Sequence, residues 1–143
     1  MNITQLSVFL ENRKGRLAEV CSLLGRHQIN IRALTIAETE SFGVLRIVVD
    51  KPDEAAALLK EHRITANVTN VVAVEVPDKP GGLAGVLKVL ADHDVNVEYM
   101  YGFVEKSSDN ALMVFRFDAV EAAIKVLSDS GIKIVGAEHI RGL

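Results

Sequence analysis

Gly81, Gly82 and Gly85 stand between an apolar run, VVAVEV, and a stretch, LAGVLKVL, with the apolar spacing of a helix. Free N–H groups at a helix start and the helix dipole together attract an anion, and glycine lets a ligand approach the backbone closely. A dinucleotide fingerprint needs G-x-G-x-x-G after a strand, with an acidic residue about twenty positions on. Here the order is G-G-x-x-G, and although Glu98 follows at a tempting distance, the next strand leads into a hairpin instead of a crossover helix. A Walker loop is excluded because no Gly-Lys-Ser or Gly-Lys-Thr occurs. What remains is a helix start that suits an α-carboxylate as well as a phosphate. The purely structural alternative is that Pro80 opens the helix and Gly81 eases a tight strand-to-helix turn.

The other reactive side chains point away from catalysis. No nucleophile–base constellation, paired carboxylates or cofactor motif stands out, so no catalytic residue, cofactor or metal site is assigned. Cys21 is the single cysteine, cannot form an internal disulfide and falls on the apolar face of a helix, as a small core residue would. His27 and His93 occupy matching places near helix ends, where a cation complements the dipole. His62 and His139 have no ligand-spaced companion. The formal net charge is −3 with acids and bases interspersed, which argues against a nucleic-acid partner. No apolar run approaches the ~20 residues that span a bilayer, and the start lacks a basic region followed by a long apolar one. A cytoplasmic protein with no membrane partner is expected.

The elements that would position these residues are written twice. KGRLAEVCSLLGRHQINI aligns without a gap on PGGLAGVLKVLADHDVNV, and Gly15/Gly81, Leu17/Leu83, Leu24/Leu90 and Asn30/Asn96 all stand 66 residues apart. In each copy a period of two (Leu6, Val8, Leu10; Val72, Val74, Val76) predicts a half-buried strand. Spacing of i, i+3, i+4, i+7 (Leu17, Val20, Cys21, Leu24; Leu83, Val86, Leu87, Leu90) predicts an amphipathic helix. A hairpin of two strands follows, then a second helix and a last strand beginning near Ile64 and near Ile132. The fold class is therefore α+β: two tandem ferredoxin-like βαββαβ domains, 1–69 and 70–143, each an antiparallel sheet with helices on one face. Phe9, Val44, Val48, Leu112 and Val114 fall on the opposite face, where so much apolar surface calls for a covering partner.

Order, spacing and duplication together resemble the ACT domain, an amino-acid-sensing module, in the form of a tandem pair without an attached enzyme. The resemblance covers nearly the whole chain and rests on D-x-P-G-x-L (Asp78, Pro80, Gly81, Leu83), on N-R-K-G-R-L (Asn12, Gly15, Leu17), and on I-N-I and V-N-V after the first helix of each copy. It implies effector sites where the first loop of one unit meets the second strand of its neighbour. Carried over, the Asp78 loop would face Asn30 and the Asn12 loop would face Asn96. Lys14 replaces the family's proline in the first copy.

An amino acid fits this chemistry, since a zwitterion needs donors for its carboxylate and acceptors for its ammonium. The N–H groups of Gly15, Arg16 and Leu17 and of Gly81, Gly82 and Leu83 are the candidate donors. Asp78 and the side-chain carbonyls of Asn12, Asn30 and Asn96 are the candidate acceptors. Turn chemistry is the alternative for Asp78 and Asn12, and a left-handed helix-to-strand residue the alternative for Asn30 and Asn96. Tyr99 and Tyr101 either pack in the core and at the repeat interface or line a pocket and select a side chain.

The expected function is a non-enzymatic regulatory module that binds a small effector, a free amino acid, and signals to a partner enzyme of amino-acid metabolism, as a homodimer. The alternative is a ligand-independent interaction subunit of such an enzyme. RNA binding, suggested by the shared element order of RNA-recognition domains, conflicts with third strands reading GVLRIVVD and ALMVFRFD.

Overall fold

The computed structural model describes residues 2–106 and 108–143. The chain divides into two compact units, residues 4–69 and residues 70–143 with Asn2 and Ile3. The elements in order are β1 (Ile3–Glu11), α1 (Arg16–Arg26), β2 (Ile31–Glu38), β3 (Phe42–Val49), α2 (Pro52–Glu61) and β4 (Ala66–Val76), then α3 (Gly82–Asp92), β5 (Val97–Gly102), β6 (Ala111–Phe117), α4 (Val120–Asp129), β7 (Ile134–Val135) and α5 (Ala137–Arg141). In the unit 4–69 the strand order is β2-β3-β1 followed by the start of β4, where the Phe9 N–H donates to the Thr65 carbonyl at 2.9 Å. In the unit 70–143 the order is β5-β6-β4-β7. Both are the split order of a ferredoxin-like βαββαβ fold, with β2–β3 and β1–β3, and β5–β6 and β4–β6, paired antiparallel.

Two elements depart from the sequence reading. The last strand of the first copy and the first strand of the second form one continuous strand, β4, because no glycine or proline interrupts ANVTNVVAVEV. The short helix α5 was not foreseen; it holds Ile140 in the core at 2% exposure.

Each unit has its own apolar core. In the first, Leu6, Val8 and Leu10 of β1 and Leu45, Ile47 and Val49 of β3 pack with Val20, Leu23 and Leu24 of α1 and Ala55, Leu58 and Leu59 of α2. In the second, Val72, Val74, Val76, Phe115 and Phe117 pack with Val86, Leu90, Ala123 and Leu127, and the two phenyl rings stack at 5.5 Å. The face of α1 is turned slightly from the expected one: Leu23 is buried, whereas Leu17 in the first turn is 40% exposed and Cys21 half-buried. On the sheet face away from the helices, Val48, Leu112 and Val114 are buried and Phe9 remains largely exposed. None of the described helices is long and apolar enough to cross a membrane.

The four long helices end alike. Gln28, Arg63, Asp94 and Gly131 follow α1, α2, α3 and α4 with φ of 60°, 59°, 57° and 75°. The next residue, always Ile or Val, donates its N–H back into the last turn: Ile29 to Leu24, Ile64 to Leu59, Val95 to Leu90 and Ile132 to Leu127, at 2.9 to 3.0 Å. This is the Schellman stop, and its apolar residue enters or packs against the core. His27, His62 and His93 sit one residue before the left-handed position, each placing Nδ1 on the carbonyl four residues back, Leu23, Leu58 and Val89. His62, unassigned from sequence, thus shares the helix-end place of the other two.

Gly131 is the one stop that uses glycine, and a Cβ there meets nothing within 4 Å. Gly131→Ala should therefore cost only the left-handed penalty, roughly 1–2 kcal/mol, and Arg63→Gly should gain up to about 1 kcal/mol. Urea unfolding of both variants measures this; equal effects on the two would contradict the assignment of these stops.

Candidate functional site

Both strand-to-helix loops are built alike. In the second unit the Lys79 N–H donates to the Pro77 carbonyl at 3.0 Å, the Gly82 N–H to Lys79 at 2.9 Å, and the Gly85 N–H to Gly81 at 3.0 Å. In the first unit the Arg13 N–H donates to Glu11 at 2.9 Å, Arg16 to Arg13 at 3.3 Å and Glu19 to Gly15 at 3.0 Å. Gly81 and Gly15 are the N-caps, with φ of 82° and 86°, a conformation that L side chains rarely adopt. Pro80 precedes the cap and does not open the helix itself. The turn consumes the Gly82 and Arg16 N–H groups, which the sequence had offered to a ligand. Among the described residues, the N–H groups of Gly81, Leu83 and Ala84, and of Gly15, Leu17 and Ala18, have no backbone acceptor.

The polar residues before the caps hold the hairpins of their own units. The Asn12 N–H donates to the Ser41 carbonyl at 2.9 Å, and Asn12 Nδ2 donates to the Thr39 carbonyl at 3.1 Å. The Asp78 carboxylate accepts from the Lys106 ammonium on the β5–β6 connection. Both partners of that ion pair are about half exposed, so its worth is small, roughly 0–1 kcal/mol. Ser108 adds a second tie by donating to the Glu75 carboxylate at 3.2 Å. Asn12 is thus engaged by its own hairpin's backbone, and Asp78 by a surface ion pair to its own hairpin.

Asn30 and Asn96 do not carry the left-handed conformation; Gln28 and Asp94, two residues earlier, do. Their backbones are clamped instead by two aspartates that sequence reasoning missed. The Asn30 N–H donates to Asp50 Oδ1 at 2.8 Å and the Asp50 N–H returns to the Asn30 carbonyl at 3.0 Å. The Asn96 N–H donates to Asp118 Oδ1 at 3.2 Å, and the Asp118 N–H returns at 3.3 Å. The available signal was an aspartate closing the third strand in both copies. Tyr99 is half-buried opposite Arg116, whose guanidinium bonds the Asn70 carbonyl at 2.9 Å and Glu98 at 3.3 Å. Tyr101 is buried. Burial pushes the Cys21 thiol up, away from nucleophilic ionisation.

Within the unit 70–143 a cavity of about 460 Å³ opens beside the start of α3. Gly81, Gly82 and Gly85 form one side; the turn from Ser130 to Lys133 and Asn110 form the other. Val86, Val89 and Ile132 add aliphatic side chains to the lining, which also includes Lys79, Lys133 and Glu75, the last two paired at 3.8 Å. Of the residues expected to bind, Gly81 and Gly82 line this cavity, whereas Asp78, Leu83, Asn96 and Tyr99 lie outside its lining. The corresponding groove of the unit 4–69 measures about 290 Å³ and is lined by Arg16, Glu19, Leu23, Arg26, His62 and Ile64. There Arg16 replaces Gly82 and Glu19 replaces Gly85, and their side chains pair at 2.8 Å. Among the described residues no group of three His, Cys, Asp or Glu is placed to hold a metal ion.

Gly82 and Gly85 are glycines for different reasons. A Cβ on Gly82 would stand 1.9 Å from the Pro77 carbonyl oxygen, an impossible contact, so the tight turn requires glycine. A Cβ on Gly85 meets nothing within 4 Å, and glycine inside a helix costs about 0.5–1 kcal/mol relative to alanine.

Comparison with known proteins gives a consistent picture. A family model described as an ACT domain pair matches residues 1–143. The chain is 27% identical to the acetolactate synthase small subunit of Mycolicibacterium smegmatis, over 94% of this chain and 86% of that one. The crystal structure of protein BT0572 from Bacteroides thetaiotaomicron superimposes with a TM-score of 0.93 at 40% identity, covering 100% of this chain and 98% of the other. The ligand-free regulatory subunit of aspartate kinase from Thermus thermophilus shares the fold, with a TM-score of 0.62 at 20% identity and coverage of 88% and 90%.

The two glycines should respond oppositely to the same substitution. Gly82→Ala is expected to lose roughly 1–3 kcal/mol of stability and Gly85→Ala to gain about 0.5–1 kcal/mol. Urea unfolding of each variant checks both signs.

Proposed function

This chain belongs to the ACT domain pair family, and we propose that it works as a non-catalytic regulatory module that binds a free amino acid and passes its bound state to an enzyme of amino-acid metabolism. The observation that carries the reading is the cavity at the Gly81 loop, with a volume suited to a small molecule and a lining that combines aliphatic side chains with charged groups of both signs, Lys79, Lys133 and Glu75. The likeness to an acetolactate synthase small subunit supports the choice of partner class. We place its work in the cytoplasm, and a homodimer is its expected form.

The physical route is linkage. A ligand that binds only the folded or assembled form stabilises it by RT ln(1 + [L]/Kd), about 2.7 kcal/mol at a hundredfold excess. If that form differs from the free one in what it offers a partner, ligand concentration sets partner occupancy, limited by the difference in affinity between the two forms. No bond need be made or broken in this chain.

A second reading, a ligand-independent interaction subunit, draws on the same likeness to a small subunit. A thermal-shift screen of the twenty amino acids at millimolar concentration separates the two. At least one is expected to raise Tm, by about 5–10 °C where it reaches a hundredfold excess over Kd. Silence from all twenty, with a stoichiometric enzyme still co-purifying, would transfer the function to the second reading.

A further inference from the structure

We propose that this chain pairs with a second copy of itself along β2 of the unit 4–69, antiparallel and centred on Thr35, so that Leu34 of each copy meets Ile36 of the other. The proposal rests on the homodimeric form expected above and deepens it by naming the strand and the register that make it.

Among the described residues β2 pairs with β3 alone, at one end of the strand order. Such an edge is a ready template for another strand unless charge, proline or a bulge guards it. Here a bulge falls between Ile31 and Ala33, and the stretch from Ala33 to Ala37 carries neither charge nor proline. Leu34 and Ile36 stand opposite Ile47 and Leu45, on the face that bears the helices, yet they remain 42% and 46% exposed. Packing within their own unit does not account for them, since neither belongs to its core.

In a twofold antiparallel pair, residues directly opposite share a face, and the residue on the axis meets itself. A centre on Leu34 sets Arg32 against Ile36, and a centre on Ile36 sets Leu34 against Glu38. A centre on Thr35 sets apolar against apolar, and it brings Arg32, near the start of one strand, to Glu38, at the end of the other. The equivalent edge of the unit 70–143 lacks these features. There Met100 replaces Leu34 and packs against the core, and Gly102 replaces Ile36. Glu98 and Val104 stand where the first copy has Arg32 and Glu38, and Glu98 already pairs with Arg116 at 3.3 Å. A mixed pairing of β2 with β5 of another copy, in the same register, sets Glu38 against Glu98. Like charges directly opposite are destabilising, so charge favours β2 on β2 over the mixed contact.

Sedimentation equilibrium of the intact chain is expected to show a dimer. Leu34→Asp should weaken it roughly a hundredfold, because the twofold buries the new carboxylate twice without a partner; circular dichroism checks that the variant folds. Glu38→Arg, at an exposed position, should weaken it about tenfold by setting two cations opposite each other. In the mixed pairing the same variant tightens the dimer instead, because its new cation faces Glu98. Thr35→Cys should link the copies by a disulfide on mild oxidation with copper phenanthroline, whereas the parent, with Cys21 half-buried, should stay unlinked. If Leu34→Asp does not fold, the other two variants decide. A dimer that survives a folded Leu34→Asp, tightens with Glu38→Arg or leaves Thr35→Cys unlinked overturns this interface and leaves the homodimeric form standing. A parent that is monomeric at the highest concentration reached overturns both, while the amino-acid thermal-shift screen still decides the regulatory reading by itself.

Discussion

The left-handed residue that stops each long helix is the constraint on which the rest of the chain depends. A helix of ten or eleven residues must return to its sheet within a few residues, and a single residue with φ near +60° achieves that reversal. The N–H that follows closes the last turn, and its apolar side chain, Ile29, Ile64, Val95 or Ile132, packs with the core. From there the chain is committed: Asn30 and Asn96 are held by Asp50 and Asp118, which fixes where β2 and β5 begin against β3 and β6. In the second unit the same stop, at Gly131, makes one wall of the cavity. Fold and site thus share a part.

Duplication then lets one backbone carry two chemistries. Loops 11–16 and 77–82 have the same turn bonds and the same left-handed cap, yet the slightly longer bond at Arg16 accompanies a side chain where the second loop has none. Arg16 and Glu19 neutralise each other on the first helix, an i,i+3 pair of ordinary kind. Gly82 and Gly85 leave the second helix bare on the same side. Only one of these glycines follows from packing, and that difference separates a structural residue from a functional candidate.

Much of the fold was legible because periodicity depends on burial, and burial is what each unit needs. Leu6, Val8 and Leu10 alternate, and Val86 and Leu90 recur at helical spacing, since these side chains meet one core. Leu17 misled for a related reason: it keeps the spacing but sits in the first turn, where the packed stretch has not begun. The junction was half legible; the apolar run was visible, but whether it formed one strand or two depended on hydrogen bonding along its length. The site was less legible still. Asp78 and Asn12 were visible as polar loop residues, while Lys106, Thr39 and Ser41, their partners across the hairpin, lie 27 to 29 residues away in sequence.

By itself the sequence determined the class of the protein: a duplicated βαββαβ chain with a glycine-bearing helix start in each copy, because repeats, periods and turn residues are local and survive in one dimension. The tertiary structure decided which residues face a cavity, which donors the turn consumes, and how each of two equivalent grooves is lined. Those depend on distances between segments far apart in sequence, such as Gly85 and Ile132 across one cavity, or on a carbonyl standing 1.9 Å from where a Cβ would be. The motif recorded three glycines alike; only their surroundings in space distinguish the glycine that a turn demands from the one that leaves room.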